Sequence, residues 1–264
     1  MAKGSRGGQR ANTSVSGSGN IQPTINAQQI NQTQPTQPVQ VDDTQQAQAM
    51  SAQYDEFMAM PDDEKADVID SMIKQGVPAH LADNDFQKMI YNIGLNDKPQ
   101  LVDDATLDSM NGTELWRTVN NVYDRQNDIS YTADQIARQV QAGRITRVSD
   151  NGGSVYGRGI YFADNQSDST LYGNTRGNVK KTAQVRCKLN GNAKVINHSQ
   201  ATRGVNSEIR SGSKLGKVLA KCDYDSQSSI YALAKGYNVI TSGHGYYNVL
   251  NRNAVTMSKT ISSI

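Results

Sequence analysis

Several residue types that mark familiar chemistry are scarce in this 264-residue chain. It has 2 cysteines, 1 tryptophan, 3 histidines and four glutamates, Glu56, Glu64, Glu114 and Glu208. Cys187 and Cys222 lack C-x-x-C spacing and have no neighbouring histidines, which argues against zinc and predicts two reduced thiols. No metal site is expected. No apolar run approaches 18 residues, so no membrane span is predicted. The opening "MAKGSRGGQRANTSVSGSGN" is basic but has no hydrophobic segment behind it, so it does not read as a secretory signal. Hydrophobic residues make up only 36% of the chain. With a mean hydropathy of −0.64, part of the sequence is expected to build no core.

What the chain does have is an uneven charge. Residues 1–40 carry three basic and no acidic side chains, residues 41–110 carry 15 acidic against 4 basic, and residues 111–264 carry 20 basic against 10 acidic. Residues 1–50, with "NAQQINQTQPTQPVQ" at their centre, are rich in Gln, Asn, Ser, Thr, Gly and Pro and have neither a period of 2 nor one of 3.6. They read as an extended low-complexity arm that orders only against a partner. Residues 51–98 read as an acidic, small helical region. Pro61 starts one helix, with Asp62, Asp63 and Glu64 in its first turn and Val68, Ile69, Met72 and Ile73 as its stripe. "NDFQKMIYNIG" supplies a second, capped by Asp83 or Asn84 and ending at Gly94. Both are too short to stand alone, so their stripes must pack on each other or on the C-terminal domain.

Residues 99–264 read as an α+β domain. "TELWRTV", "SVYGRGIYFA", "KTAQVRCKL", "AKVIN", "YNVIT", "YYNVL" and "AVTMS" are strand candidates. "TADQIARQVQAG", capped by Thr132, "NSEIRSGSKLGKVLAK" and "DSQSSIYALAKG" are helical. Strand and helix do not alternate regularly, which favours mainly antiparallel sheets over a doubly wound parallel one.

Three segments stand out: "LWRTV" at 115–119, "YGRGIYFADN" at 156–165 and "GYNVITSGHGYYNVLNRNAVTMS" at 236–258. Taken singly, each has an ordinary reading. G-x-G is frequent in turns and bulges, Tyr-Phe on a strand is usually cross-strand packing, and an arginine beside Trp116 is often an edge residue. Taken in order, they resemble the ADP-ribosyltransferases, in particular the domains encoded by tailed phages. "GRGIYFADN" carries the resemblance best and the late strand least.

The resemblance, over roughly residues 100–260, implies a two-sheet, mainly antiparallel core with flanking helices and a site for NAD. In that site Arg117 would grip phosphates and ribose. Gly157 and Gly159 would let the backbone approach the ligand, and Tyr161 would stack on nicotinamide. Arg117 and Tyr161 would therefore converge on one cleft. The chain departs from the pattern at Tyr246, which stands where the family has its catalytic glutamate, and at Thr118, which replaces a glycine. A tyrosine is neutral near pH 7 and supplies no anion. Among other acids, Glu114 belongs on the opposite strand face from Arg117, Glu208 falls in a helix, and Asp223 or Asp225 would approach from the loop before the last helix.

The expectation is a virion-associated structural protein of a tailed phage, found in the virion and in the host cytoplasm during assembly. It would be present in multiple copies and touch capsid, portal or tail proteins through residues 1–50 and the acidic helical region. The alternative is an active mono-ADP-ribosyltransferase carried in the particle. The basic residues of the C-terminal domain, Arg176, Lys180, Lys181, Arg186 and Lys188 among them, also suit a nucleic-acid partner. His244 between glycines is expected in an exposed turn.

Overall fold

A computed structural model describes residues 54–94, 98–125, 127–143, 155–173 and 182–263. The Gln-rich segment, Arg176, Lys180 and Lys181 lie outside these. Among the described residues no helix is long and apolar enough to cross a membrane, and no group of three His, Cys, Asp or Glu could hold a metal ion.

The architecture is α+β. After a helical segment at 54–59 come α1 (Asp62–Lys74), α2 (Asp85–Ile93), β1 (Gln100–Val102), α3 (Asp104–Ser109) and β2 (Glu114–Asn120). Next are the ribbon β3 (Val122–Asp124) and β4 (Ile129–Tyr131), α4 (Ala133–Gln141), β5 (Ile160–Ala163), α5 (Gln166–Gly173), β6 (Thr182–Leu189) and β7 (Val195–Asn197). Last are α6 (His198–Ser211), α7 (Lys214–Leu219), α8 (Tyr224–Ala234), β8 (Val239–Thr241), β9 (Tyr246–Val249) and β10 (Val255–Ser263).

Local chemistry explains the ends. Thr132 and Gln135 form a reciprocal capping box on α4, and Asn84 accepts from the Gln87 amide at the start of α2. Among the elements read from the sequence, two show where glycine resets the boundaries. The strand read over 154–163 begins only at Ile160, because Gly157 and Gly159 have positive φ and break the extended run. The single helix read over 206–221 is two: α6 already starts at His198, capped by Asn197, and ends where Gly212 turns left-handed and Ser213 caps α7.

The expected two sheets are one. Strands run β1-β10-β6-β2-β5-β9-β8-β7, antiparallel except for the β1–β10 and β7–β8 pairs, and β3–β4 stands apart. The join is slight. β2 pairs with β6 along its whole length, from Glu114↔Lys188 to Asn120↔Thr182, and β5 pairs with β9 from Ile160↔Val249 to Ala163↔Tyr246. Between β2 and β5 the ladder holds only Trp116↔Ala163.

Residues 54–94 share their core with the C-terminal part. Phe57, Ile69, Phe86, Met89 and Ile90 belong to the same buried cluster as Leu115, Val185, Ile230 and Val249. The charge asymmetry closes here. Lys235 bridges Asp62 (2.7 Å) and Glu208 (3.0 Å), Lys214 meets Asp67 (3.0 Å), and Lys221 approaches Asp70 (4.0 Å).

The contact with Lys235 holds the Asp62 carboxyl below its ordinary range, and the bond from Lys74 does the same for Asp70. Ser213 and then Lys235 lower Glu208. Groups depressed in the folded state lend stability above their unfolded pKa and lose it as pH falls through the folded one. Thermal unfolding should therefore hold steady above about pH 5 and fall as pH drops through about 4 toward 2. Lys235→Met should flatten that decline, measured as Tm against pH; an unchanged decline would show the pairs to be inconsequential.

Candidate functional site

The sequence brought Arg117, Gly157, Gly159, Tyr161 and Tyr246 together, and the sheet places their strands β2, β5 and β9 side by side. The side chains do not share a cleft as expected. Arg117 lies between Leu115 and Val119 on the core-facing side of β2 and is 6% exposed. Trp116, the next residue, pairs with Ala163, so Trp116, Ala163 and Tyr161 share the other face, together with Asn248 and Tyr246. Arg117 and Tyr161 meet through the main chain instead. The Arg117 Nη1 donates to the Tyr161 carbonyl at 2.9 Å, next to the point where the β2–β5 ladder stops.

The Tyr161 ring turns toward the strap at 155–159. Its hydroxyl accepts from the Tyr156 amide at 2.9 Å and donates to the Gly157 carbonyl at 2.5 Å. Asn248, 1% exposed, donates from Nδ2 to the Tyr156 and Arg158 carbonyls, both at 3.1 Å. Ser229 Oγ donates to the Arg158 carbonyl at 2.6 Å, and the Arg158 amide donates to the Asp225 carbonyl at 3.1 Å. Outside, the Arg158 guanidinium meets the Asp225 carboxylate at 3.2 Å. Tyr156 packs edge-on against His198, with centroids 5.3 Å apart, and burial lowers the pKa of that imidazole.

The two glycines answer to packing. With φ of 87° and 150° they hold a conformation other residues avoid. A Cβ on Gly157 would stand 2.5 Å from Ser229 Oγ, and one on Gly159 would stand 2.1 Å from Asn248 Oδ1. The close approach they permit is to α8 and β9 of this chain.

The remaining acids are engaged. The Asp223 carboxylate caps α8 and accepts from the Asp85 amide at 2.9 Å. Glu114 pairs with Arg186, which also meets Asp108 and lies 5.4 Å above the Trp116 ring. Lys188 Nζ donates to the Met110 carbonyl at 2.8 Å. His244 is in an exposed turn, and both cysteines are buried free thiols, with Cys222 pushed up to about 12 by burial. An open cleft of about 450 Å³ lies between the starts of α2 and α8, lined by Asp83, Asp85, Lys88, Arg158, Tyr224 and Asp225 among others.

Asn248 and Ser229 are the residues the sequence reading missed. For Asn248 there was a signal, a carboxamide in the middle of the run "YYNVL".

The groups expected to meet a dinucleotide are bonded within the domain. The guanidinium is buried against a carbonyl, the phenol is committed at both its donor and its acceptor, and the glycine space is filled. Comparison with protein-family models, curated proteins and solved structures finds no match.

Substitution should show how tightly the strap is held. Gly159→Ala and Asn248→Asp should each lower stability by about 2–4 kcal/mol, through a clash at positive φ and through a carboxylate set against two carbonyls. Urea unfolding measures both, and a loss below about 0.5 kcal/mol would show the strap to be loosely held.

Proposed function

We propose that this chain is a virion-associated structural protein of a tailed phage, built on an ADP-ribosyltransferase-like domain whose ligand-gripping positions serve the fold itself. The family reading is supported by "GRGIYFADN", by the order of the three segments, and by the adjacency of the strands that carry them. The reading as a non-catalytic domain is carried by one observation. Arg117 and Tyr161, the two residues expected to hold NAD, bond to main-chain groups of this domain. Tyr246 supplies no carboxylate, and Asp223 and Asp225, the acids nearest to replacing one, cap a helix and pair with Arg158. Losing one preorganised electrostatic group costs about 3–4 kcal/mol of transition-state stabilisation.

The role in the particle rests on the arm. The composition of residues 1–50, rich in Gln and poor in apolar side chains, suits wrapping a neighbouring subunit, because a segment of this kind offsets its ordering entropy where it binds.

Two measurements test the two halves of the reading. NAD titrated onto the full chain by calorimetry should give no saturable heat up to about 1 mM, a weak-binding ceiling near −4 kcal/mol. Micromolar binding that Arg117→Ala abolishes would restore the NAD site and the transferase alternative. Mass spectrometry of purified particles should find the chain at a fixed ratio to capsid or tail protein; its absence would remove the virion role.

A further inference from the structure

The face of the sheet opposite Arg117 carries a polar row at its centre. Thr118 stands opposite Gln184 and Asn120 opposite Thr182, with Gln184 2% exposed. A covered face in mid-sheet is ordinarily apolar. The element lying on this row is α5, and hydrogen bonds between neutral side chains join the two. Ser169 Oγ lies 2.9 Å from Thr118 Oγ1, Gln166 Nε2 donates to Gln184 Oε1 at 2.8 Å, and Gln184 Nε2 donates to Thr118 Oγ1 at 3.1 Å. Among the described side chains of α5 only Ser169 is buried, and Leu171 points outward at 66% exposure.

The other hydrogen bonds near its start are local. Asn165 Oδ1 accepts from the Asp168 amide and from Ser167 Oγ, both at 2.8 Å. One residue earlier the chain is fixed to the sheet, where the Asp164 amide donates to the Gly245 carbonyl at 2.9 Å.

We infer that α5 is a detachable cover, pivoting at Asn165 and lifting from the polar row while the apolar side of the sheet stays packed. The reason is the kind of contact that holds it. Bonds between neutral side chains contribute little net stability, because water replaces them when they part. Elements with few buried apolar contacts open at free energies well below that of global unfolding. On the opposite face Leu115, Val119, Ile160 and Phe162 form part of the common core and resist the same motion. The inference stands apart from the proposed function, since none of its residues was expected to bind NAD.

Gln184 and Cys187 give an internal comparison, being on one strand, on opposite faces, and both buried. In the full chain carrying Gln184→Cys, a maleimide should label the new thiol on the order of a hundredfold faster than Cys187. Labels are read peptide by peptide by mass spectrometry, and the faster rate should be insensitive to low urea. Because that substitution removes bonds to α5, the unsubstituted chain supplies a second measurement. Its amides at 166–173 should exchange with deuterium on the order of a hundredfold faster than those of β6. A common rate with common urea dependence in either experiment overturns the inference, since α5 would then part from the sheet only on global unfolding.

Discussion

A buried guanidinium at the middle of the sheet sets the arrangement around it. Where β2 and β5 diverge after a single pair, Arg117 supplies from its side chain a hydrogen bond to the Tyr161 carbonyl. Charge in an apolar setting is costly unless hydrogen-bonded, and a charged donor makes a stronger bond than a neutral amide. The bond therefore stabilises the two halves against each other at the point where the ladder is weakest. It also fixes the main chain at Tyr161, whose phenol holds the strap. Core, seam and strap thus form one chain of dependence, running through a residue that a sequence reading would assign to a ligand.

The charge distribution follows a similar logic. Net charge that changes sign along a chain invites an external partner of opposite sign. Here part of that complementarity is internal, because acids of α1 face lysines of α7 and of the turn after α8. These pairs are half-exposed and each contributes little. The buried stripes of α1 and α2 hold the helices down, and the charges select which surface they cover. Acidic and basic stretches in sequence do not reveal whether they will meet each other or another molecule.

The same distinction between local and distant causes explains what could be read in advance. The Thr132 cap, a cap at Asp83 or Asn84 (the structure uses Asn84) and the strand over β2 depend on neighbours within four residues, and they were legible. So was the assignment of Glu114 and Arg117 to opposite faces. The face of Tyr161 relative to Arg117 was not legible, because it depends on the register Trp116↔Ala163 between strands more than forty positions apart. β1, the β3–β4 ribbon and α5 escaped for another reason. They are short, and among the described side chains of α5 only Ser169 is buried, which leaves no apolar period in the sequence. The break at Gly212 had its signal in "SGSKLG", where serine and glycine both favour an end and a restart.

The residue types shared with a nucleotide-binding motif are not misplaced here. A carboxamide, a ribose hydroxyl and a phosphate oxygen are recognised by the same donors that recognise a peptide carbonyl, so arginine, tyrosine and asparagine serve either. Glycine admits a close neighbour whether it is a ligand or the next helix. A carboxylate is different, because it accepts bonds and donates none once ionised. The strap turns the Tyr156, Gly157 and Arg158 carbonyls toward Asn248 and the Tyr161 phenol, and position 246 lies two residues along the same strand face as Asn248. An anion on that face would add repulsion to a group of acceptors, whereas a neutral phenol adds none.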